Sequence, residues 1–187
     1  RPGVCCWNKI LPVGAFYYPL FSKKPKPFFL STYYARWITE NPKETFENIT
    51  PEEWYALYEK SIALFRNCLA DSPDLTEFKK RGGKLIIDHG LDDPLIPVDG
   101  TIAYYKAITA FFGDPQTVDS FVKLYLTPGD GHGTCNWHGP GITERDGMSA
   151  LIDWVEKGIV PADIRVVQVD RNGNTLCEGS RSPAKPV

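Results

Sequence analysis

Hydrophobic residues recur at helical spacing in the segment that follows Asn48. Thr50-Pro51-Glu52-Glu53 is a capping box with proline at the first helical position. Apart from the adjacent pair Leu57 and Tyr58, the apolar positions behind it are three or four residues apart; they are Trp54, Leu57, Tyr58, Ile62, Phe65 and Leu69. This pattern predicts a helix over residues 51–69.

After residue 71 the pattern changes to an alternation of apolar strands and amphipathic helices. Apolar runs over 84–88 and 121–126 predict two buried strands. Helices are predicted over 99–112 and 143–157, each closed by a glycine, Gly113 or Gly158. The expected packed face of the first helix is Ile102, Tyr105, Ile108 and Phe112. That of the second helix is Met148, Leu151, Ile152 and Val155. This order is typical of a parallel sheet covered by helices, and two strands make only an incomplete one.

The two ends of the chain differ from this middle part. Residues 1–48 contain six prolines among clusters of aromatic residues, so we expect an irregular arm that wraps this core or a missing piece. Near the other end, Asn172-Gly173 between two apolar runs predicts a β-hairpin. The predicted organisation is an arm plus helix over 1–70, a core over 71–164 and a hairpin tail over 165–187.

Composition excludes several classes of protein. The chain has 187 residues, 42% of them hydrophobic, and a net charge of −2. That length supports one ordinary domain, and the near-neutral charge argues against nucleic-acid binding or an anionic membrane surface. No apolar run approaches the length of a membrane-spanning helix. Because the chain starts at Arg1 and its only methionine is Met148, we expect that it was cut from a longer one.

The chain has five cysteines, an odd number: Cys5, Cys6, Cys68, Cys135 and Cys177. Their spacing does not predict a metal site. They are either buried thiols or, in an exported protein, two internal bridges with one cysteine left for another chain. Neighbouring Cys5 and Cys6 would strain a bond between them, so in an exported protein we expect one of them to pair with another segment.

Ionisable residues follow both predicted strands at the point where each strand ends. The carboxyl ends of parallel strands meet at one edge of a sheet, where catalytic groups gather. An acid after one strand and His132 after the next have the order of the second and third members of an α/β-hydrolase triad. Asp92 and Asp93 compete as the acid, and Asp88 is a weaker candidate within the strand. His89 precedes the acid, which favours a structural role, and His138 is a loop histidine near the site at most.

Several motifs between residues 65 and 164 resemble the tannase and feruloyl esterase family. They are Gly82-Gly83-Lys84-Leu85, His89-Gly90, Asp93-Pro94-Leu95-Ile96-Pro97, Pro128-Gly129-Asp130-Gly131-His132 and the run Ala150–Gly158. The resemblance selects Asp93, before proline, as the acid and His132 as the base. It implies the C-terminal part of an α/β-hydrolase fold and a secreted serine esterase that cleaves feruloyl or galloyl esters. Many members follow this histidine with a bridged cysteine, where this chain has Gly133.

The nucleophile expected for such an enzyme is missing from the sequence. The chain has eight serines, and none lies in a Gly-x-Ser-x-Gly elbow. We therefore expect the serine on an upstream segment or chain, with a small phenolic ester as substrate and no cofactor. Calcium occurs in the lid of some members of the family, but no residues here match a calcium loop. The alternatives are an α/β-hydrolase for another ester or amide, and a non-catalytic partner that kept the fold.

Overall fold

A computed structural model describes residues 29–93, 96–133 and 139–185. The described residues form two compact units, which divide between Asp71 and Ser72. Within these ranges, no helix combines the length and the apolar character that a bilayer span requires.

The first unit contains two helices, α1 (Phe29–Thr39) and α2 (Pro51–Leu64), followed by a 3₁₀ turn at Arg66–Cys68. The expectation that residues 1–48 are irregular is wrong for α1. No proline lies between Pro27 and Pro42, so this stretch keeps every backbone N–H that a helix needs. Four buried residues hold the unit together: Ala35, Ile38, Phe46 and Trp54.

The predicted capping box of α2 is confirmed. The Thr50 hydroxyl accepts the Glu53 backbone N–H at 3.2 Å. The Glu53 carboxylate in turn accepts the Thr50 backbone N–H at 2.8 Å. The Thr50 hydroxyl also donates to this carboxylate, at 3.1 Å. The backbone N–H and the hydroxyl of Thr50 lower the pKa of Glu53 because they stabilise its charged form. The helix begins where the sequence predicted and ends at Leu64, five residues before the predicted end.

The second unit contains the predicted alternation of helices and strands. Its elements run in the order α3 (Thr76–Lys80), β1 (Leu85–Gly90), α4 (Val98–Phe112), α5 (Pro115–Asp119) and β2 (Val122–Thr127). β1 and β2 pair in parallel, with Leu85 opposite Val122 and Gly90 opposite Thr127. Helix α4 ends at Gly113, which has the left-handed conformation (φ 68°) that the predicted C-cap requires.

An antiparallel sheet follows, built from β3 (Gly141–Ile142), β4 (Ile164–Val169) and β5 (Thr175–Arg181). β4 lies between the other two strands. It pairs antiparallel with β5, which confirms the predicted hairpin. In its turn, the Asp170 carboxylate accepts the backbone N–H groups of Asn172 and Asn174, each at 2.8 Å. The sequence did not predict β3, because two residues are too few to show an alternating pattern.

Strand β2 is the centre of the second unit. On one side, Val122 and Leu124 join a cluster with Tyr105 and Ile108 of α4. Tyr125 belongs to a second cluster, with Ile142, Ile164 and Val166. Burial on both sides fixes β2 in the core, and the loop that follows it starts from a rigid element.

Helix α6 (Glu144–Lys157) has a different packed face from the predicted one. Met148, Ile152 and Val155 are exposed, whereas Trp154 is buried at 2% exposure. The predicted face does not include Trp154. With Trp154 packed inward, the helix is oriented so that these three apolar residues form an outward stripe. The helix ends at Gly158 in the left-handed conformation, as predicted.

Candidate active site

Two loops leave the same edge of the parallel sheet and remain bonded to each other. The first follows β1 and carries Asp93, and the second follows β2 and carries His132. Beyond the strands, the Leu91 N–H donates to the Thr127 carbonyl at 3.0 Å and the Asp92 N–H to the Asp130 carbonyl at 3.1 Å. The parallel pairing therefore extends into the loops and holds them side by side.

The structure brings Asp93 and His132 into contact. His132 Nδ1 lies 2.9 Å from Asp93 Oδ2. The other carboxylate oxygen, Oδ1, accepts the backbone N–H of Ile96 at 2.9 Å. An ionised carboxylate only accepts hydrogen bonds, so Nδ1 donates to Asp93. In the neutral imidazole this leaves the lone pair on Nε2. Nε2 has no partner among the described residues, and the side chain of His132 is 44% exposed.

This arrangement suits a histidine that moves a proton. Asp93 is 8% exposed, so its charge acts on the imidazole through a medium from which water is largely excluded. The carboxylate fixes the orientation and tautomer of the ring, and it would stabilise the imidazolium formed when Nε2 takes up a proton. Nε2, the ring nitrogen that does not contact Asp93, is the one that would face a nucleophile.

His89 has a different role, because both of its ring nitrogens are engaged. Nε2 lies 2.9 Å from the Ile96 carbonyl and Nδ1 lies 2.8 Å from the Thr101 hydroxyl. A carbonyl only accepts, so Nε2 donates to Ile96. In the neutral imidazole Nδ1 then accepts from the Thr101 hydroxyl. Nε2 is also 3.8 Å from Asp93 Oδ2. His89 thus ties the acid loop to α4, and the sequence missed Thr101 as its partner because only the fold brings them together.

We expect His89→Ala to lower the free energy of unfolding by about 1–3 kcal/mol, since it leaves the Thr101 hydroxyl and the Ile96 carbonyl without partners. His132→Ala is the comparison: it removes one hydrogen bond to Asp93 from a side chain that is 44% exposed, so it should cost less than His89→Ala, about 1 kcal/mol. Urea unfolding of the two variants would measure both values. Equal stability of the two variants would contradict a structural role for His89.

The remaining acidic candidates lie near this contact without joining it. Asp92 is exposed, and its side chain has no hydrogen bond within the described part of the chain. Asp88 is also exposed along the strand, yet lost hydration of its carboxyl group and the charge of buried Asp130 raise its pKa to about 6. The folded state therefore favours protonated Asp88. Its contribution to stability is full below about pH 4 and is lost as the pH rises through about 6.

Several predicted residues lie outside the described ranges: Cys5, Cys6, Cys135 and His138, together with Pro94 and Leu95 of the acid motif. Cys68 and Cys177 are exposed free thiols. The two thiols of the described part of the chain are therefore not bonded to each other. Among the described residues, no three histidine, cysteine, aspartate or glutamate side chains cluster as metal ligands.

The chain matches known proteins over most of its length. A probable feruloyl esterase of Arthroderma benhamiae is 32% identical over 178 residues, which make up 90% of this chain and 33% of that protein. A tannase of Aspergillus oryzae is 36% identical over 97 residues, 48% of this chain and 16% of the tannase. This chain thus spans a third or less of the length of these relatives.

Solved structures agree with the predicted fold class. A tannin acyl hydrolase from Aspergillus niger superposes on 90% of this chain with a TM-score of 0.70 and 22% sequence identity. Feruloyl esterase B from Aspergillus oryzae covers 87% with a TM-score of 0.62. The superpositions extend over about a third of each structure, and they confirm a partial α/β fold.

A sequence model of the family described as tannase and feruloyl esterase matches residues 38–184. That range contains all the motifs that carried the resemblance, together with Asp93 and His132. The chain belongs to the tannase and feruloyl esterase family.

Proposed function

We propose that this chain is the C-terminal part of a serine carboxylic-ester hydrolase that acts on feruloyl or galloyl esters. Asp93 and His132 serve as the second and third members of its triad, and an upstream segment or chain supplies the serine. The observation that carries this proposal is the 2.9 Å contact between Asp93 Oδ2 and His132 Nδ1, which leaves Nε2 available as a base.

The reaction follows from the state of the imidazole. Nε2 takes the proton of the serine hydroxyl as its oxygen attacks the ester carbonyl, and the imidazolium then gives that proton to the leaving alcohol. Water attacks the resulting acyl-enzyme, again with Nε2 as the base, and releases the acid and the free serine. Asp93 stays ionised and orients the ring in both steps.

Two features of the described chain support a further segment beside it. The outward stripe of α6 presents Met148, Ile152 and Val155, which are 57%, 43% and 57% exposed. Within the described residues, β1 pairs only with β2 and leaves its other edge open. An exposed apolar stripe is typical of an interaction surface, and an open sheet edge can pair with a further strand. We propose that the serine-bearing segment covers the stripe of α6 and the open edge of β1.

We also expect the protein to be secreted.

The proposal is tested on the full-length protein with methyl ferulate and methyl gallate as substrates, followed by chromatography of the released acids. A fluorophosphonate then labels the nucleophile for peptide mapping. The serine oxygen bonds to its phosphorus, fluoride leaves, and the serine proton is released. We expect ester hydrolysis, and a label on a serine outside residues 1–187 that abolishes it. If the protein hydrolysed other esters but neither of these two, the proposed substrate class would be wrong and the esterase activity would stand. No hydrolysis and no label would favour the non-catalytic alternative and overturn the proposal.

A further inference from the structure

Two glycines lie at close backbone approaches in the loops of the site. Gly90 ends β1, and its α-carbon faces the backbone of Asp130. A side-chain carbon at this position would lie 2.7 Å from the Asp130 carbonyl carbon, nearer still to its oxygen, and 2.9 Å from the Gly131 oxygen. These contacts involve backbone atoms, so no side-chain movement relieves them. Only glycine lets the acid loop and the histidine loop lie this close.

Gly139 makes a close approach of a different kind, within the histidine loop itself. A side-chain carbon there would lie 2.8 Å from the Gly129 α-carbon, and nearer to the Gly129 carbonyl group. Gly129 itself has φ of 84°, which disfavours any side chain. Gly129, before His132, and Gly139, after it, are therefore in close backbone contact.

The Gly90 approach bears directly on the contact between Asp93 and His132. Asp130 is buried at 5% exposure and lies two residues before His132. Its carbonyl accepts the Asp92 N–H, one residue before Asp93. Moving the Asp130 backbone away from Gly90 would break this bond and separate the two loops. A shift of about 1 Å can lower a reaction rate about 100-fold when it misplaces reacting groups.

We propose that Gly90 and Gly139 are positioning residues, whose missing side chains set the distance between Asp93 and His132. This inference rests on the proposed function. The two glycines approach only the backbone of Gly129, Asp130 and Gly131, so in this proposal they act through the acid–histidine contact. It follows that their effect on the rate must depend on that contact being present.

The test is a set of double-mutant cycles in the full-length enzyme, with methyl ferulate or methyl gallate as substrate. Gly90→Ala and Gly139→Ala should each lower kcat by about 100-fold and leave KM within about twofold. In the Asp93→Asn background, where the contact is already impaired, each should lower kcat less than about threefold. Gly147→Ala is the control, because a side-chain carbon there meets only Ile142 Cγ2, at 3.4 Å, and its kcat should not change.

The outcomes separate this inference from the proposed function. Equal losses with and without Asp93→Asn, or unchanged kcat in both glycine variants, would overturn the positioning role. So would failure of both variants to fold, since the glycines would then be needed for the fold itself. If Asp93→Asn alone leaves kcat unchanged, the proposed triad fails instead.

Discussion

The full-length protein with His132→Ala should hydrolyse feruloyl or galloyl esters at least about 10⁴-fold more slowly than the wild type, with KM little changed. The serine hydroxyl loses the base that takes its proton, and the leaving alcohol loses its proton donor. Steady-state kinetics with an excess of methyl ferulate or methyl gallate would measure the loss. Because His132 is partly exposed, the variant should remain folded, so that the loss reports chemistry.

His89→Ala is the informative comparison for this variant. His89 lies within 3.8 Å of the same carboxylate oxygen, but its two nitrogens are held by Ile96 and Thr101. The two variants should therefore differ in what they lose. His89→Ala should mainly lower the free energy of unfolding, and His132→Ala should mainly lower the turnover rate. Wild-type turnover in the His132→Ala enzyme would remove His132 from the mechanism, wherever the nucleophile lies.

The sequence predicted the parts of the molecule whose signals are local. The capping box at Thr50, the glycine caps at Gly113 and Gly158 and the strands β1 and β2 depend on neighbouring residues along the chain. The meeting of the acid and histidine loops needed one further rule, that parallel strands end at a common edge. Spacing left Asp92 and Asp93 open, because both follow β1. The family resemblance selected Asp93, and in the structure Asp93 is the one that contacts His132.

The features that the sequence did not predict depend on the environment of each element. The packed face of α6 follows Trp154, while the apolar stripe with Met148 faces outward and is exposed in this chain. β3 exists because β4 passes beside two residues that show no pattern of their own. The contact between His89 and Thr101 joins a strand end to a helix, so no motif encodes it.

Asp93→Asn should lower kcat by about 10⁴-fold, although it changes only one atom of the side chain into another of similar size. Ile96 presents an N–H to the Oδ1 position at 2.9 Å, and only the amide oxygen can accept it. The amide nitrogen then faces His132 and donates to Nδ1. This forces the proton of the imidazole onto Nε2, which can no longer take the serine proton.

Asp92→Asn is the matched control, because Asp92 is the adjacent residue and its exposed side chain makes no contact with His132. Its kcat should stay within about threefold of the wild type, as expected for a surface substitution beside the site. The tautomer is measured separately by proton NMR of the full-length protein. The downfield signal of His132 Nδ1–H should be present in the wild type and in Asp92→Asn, and lost in Asp93→Asn. If Asp92→Asn produced the larger loss of kcat, the acid would be Asp92, and the 2.9 Å contact of Asp93 would be structural.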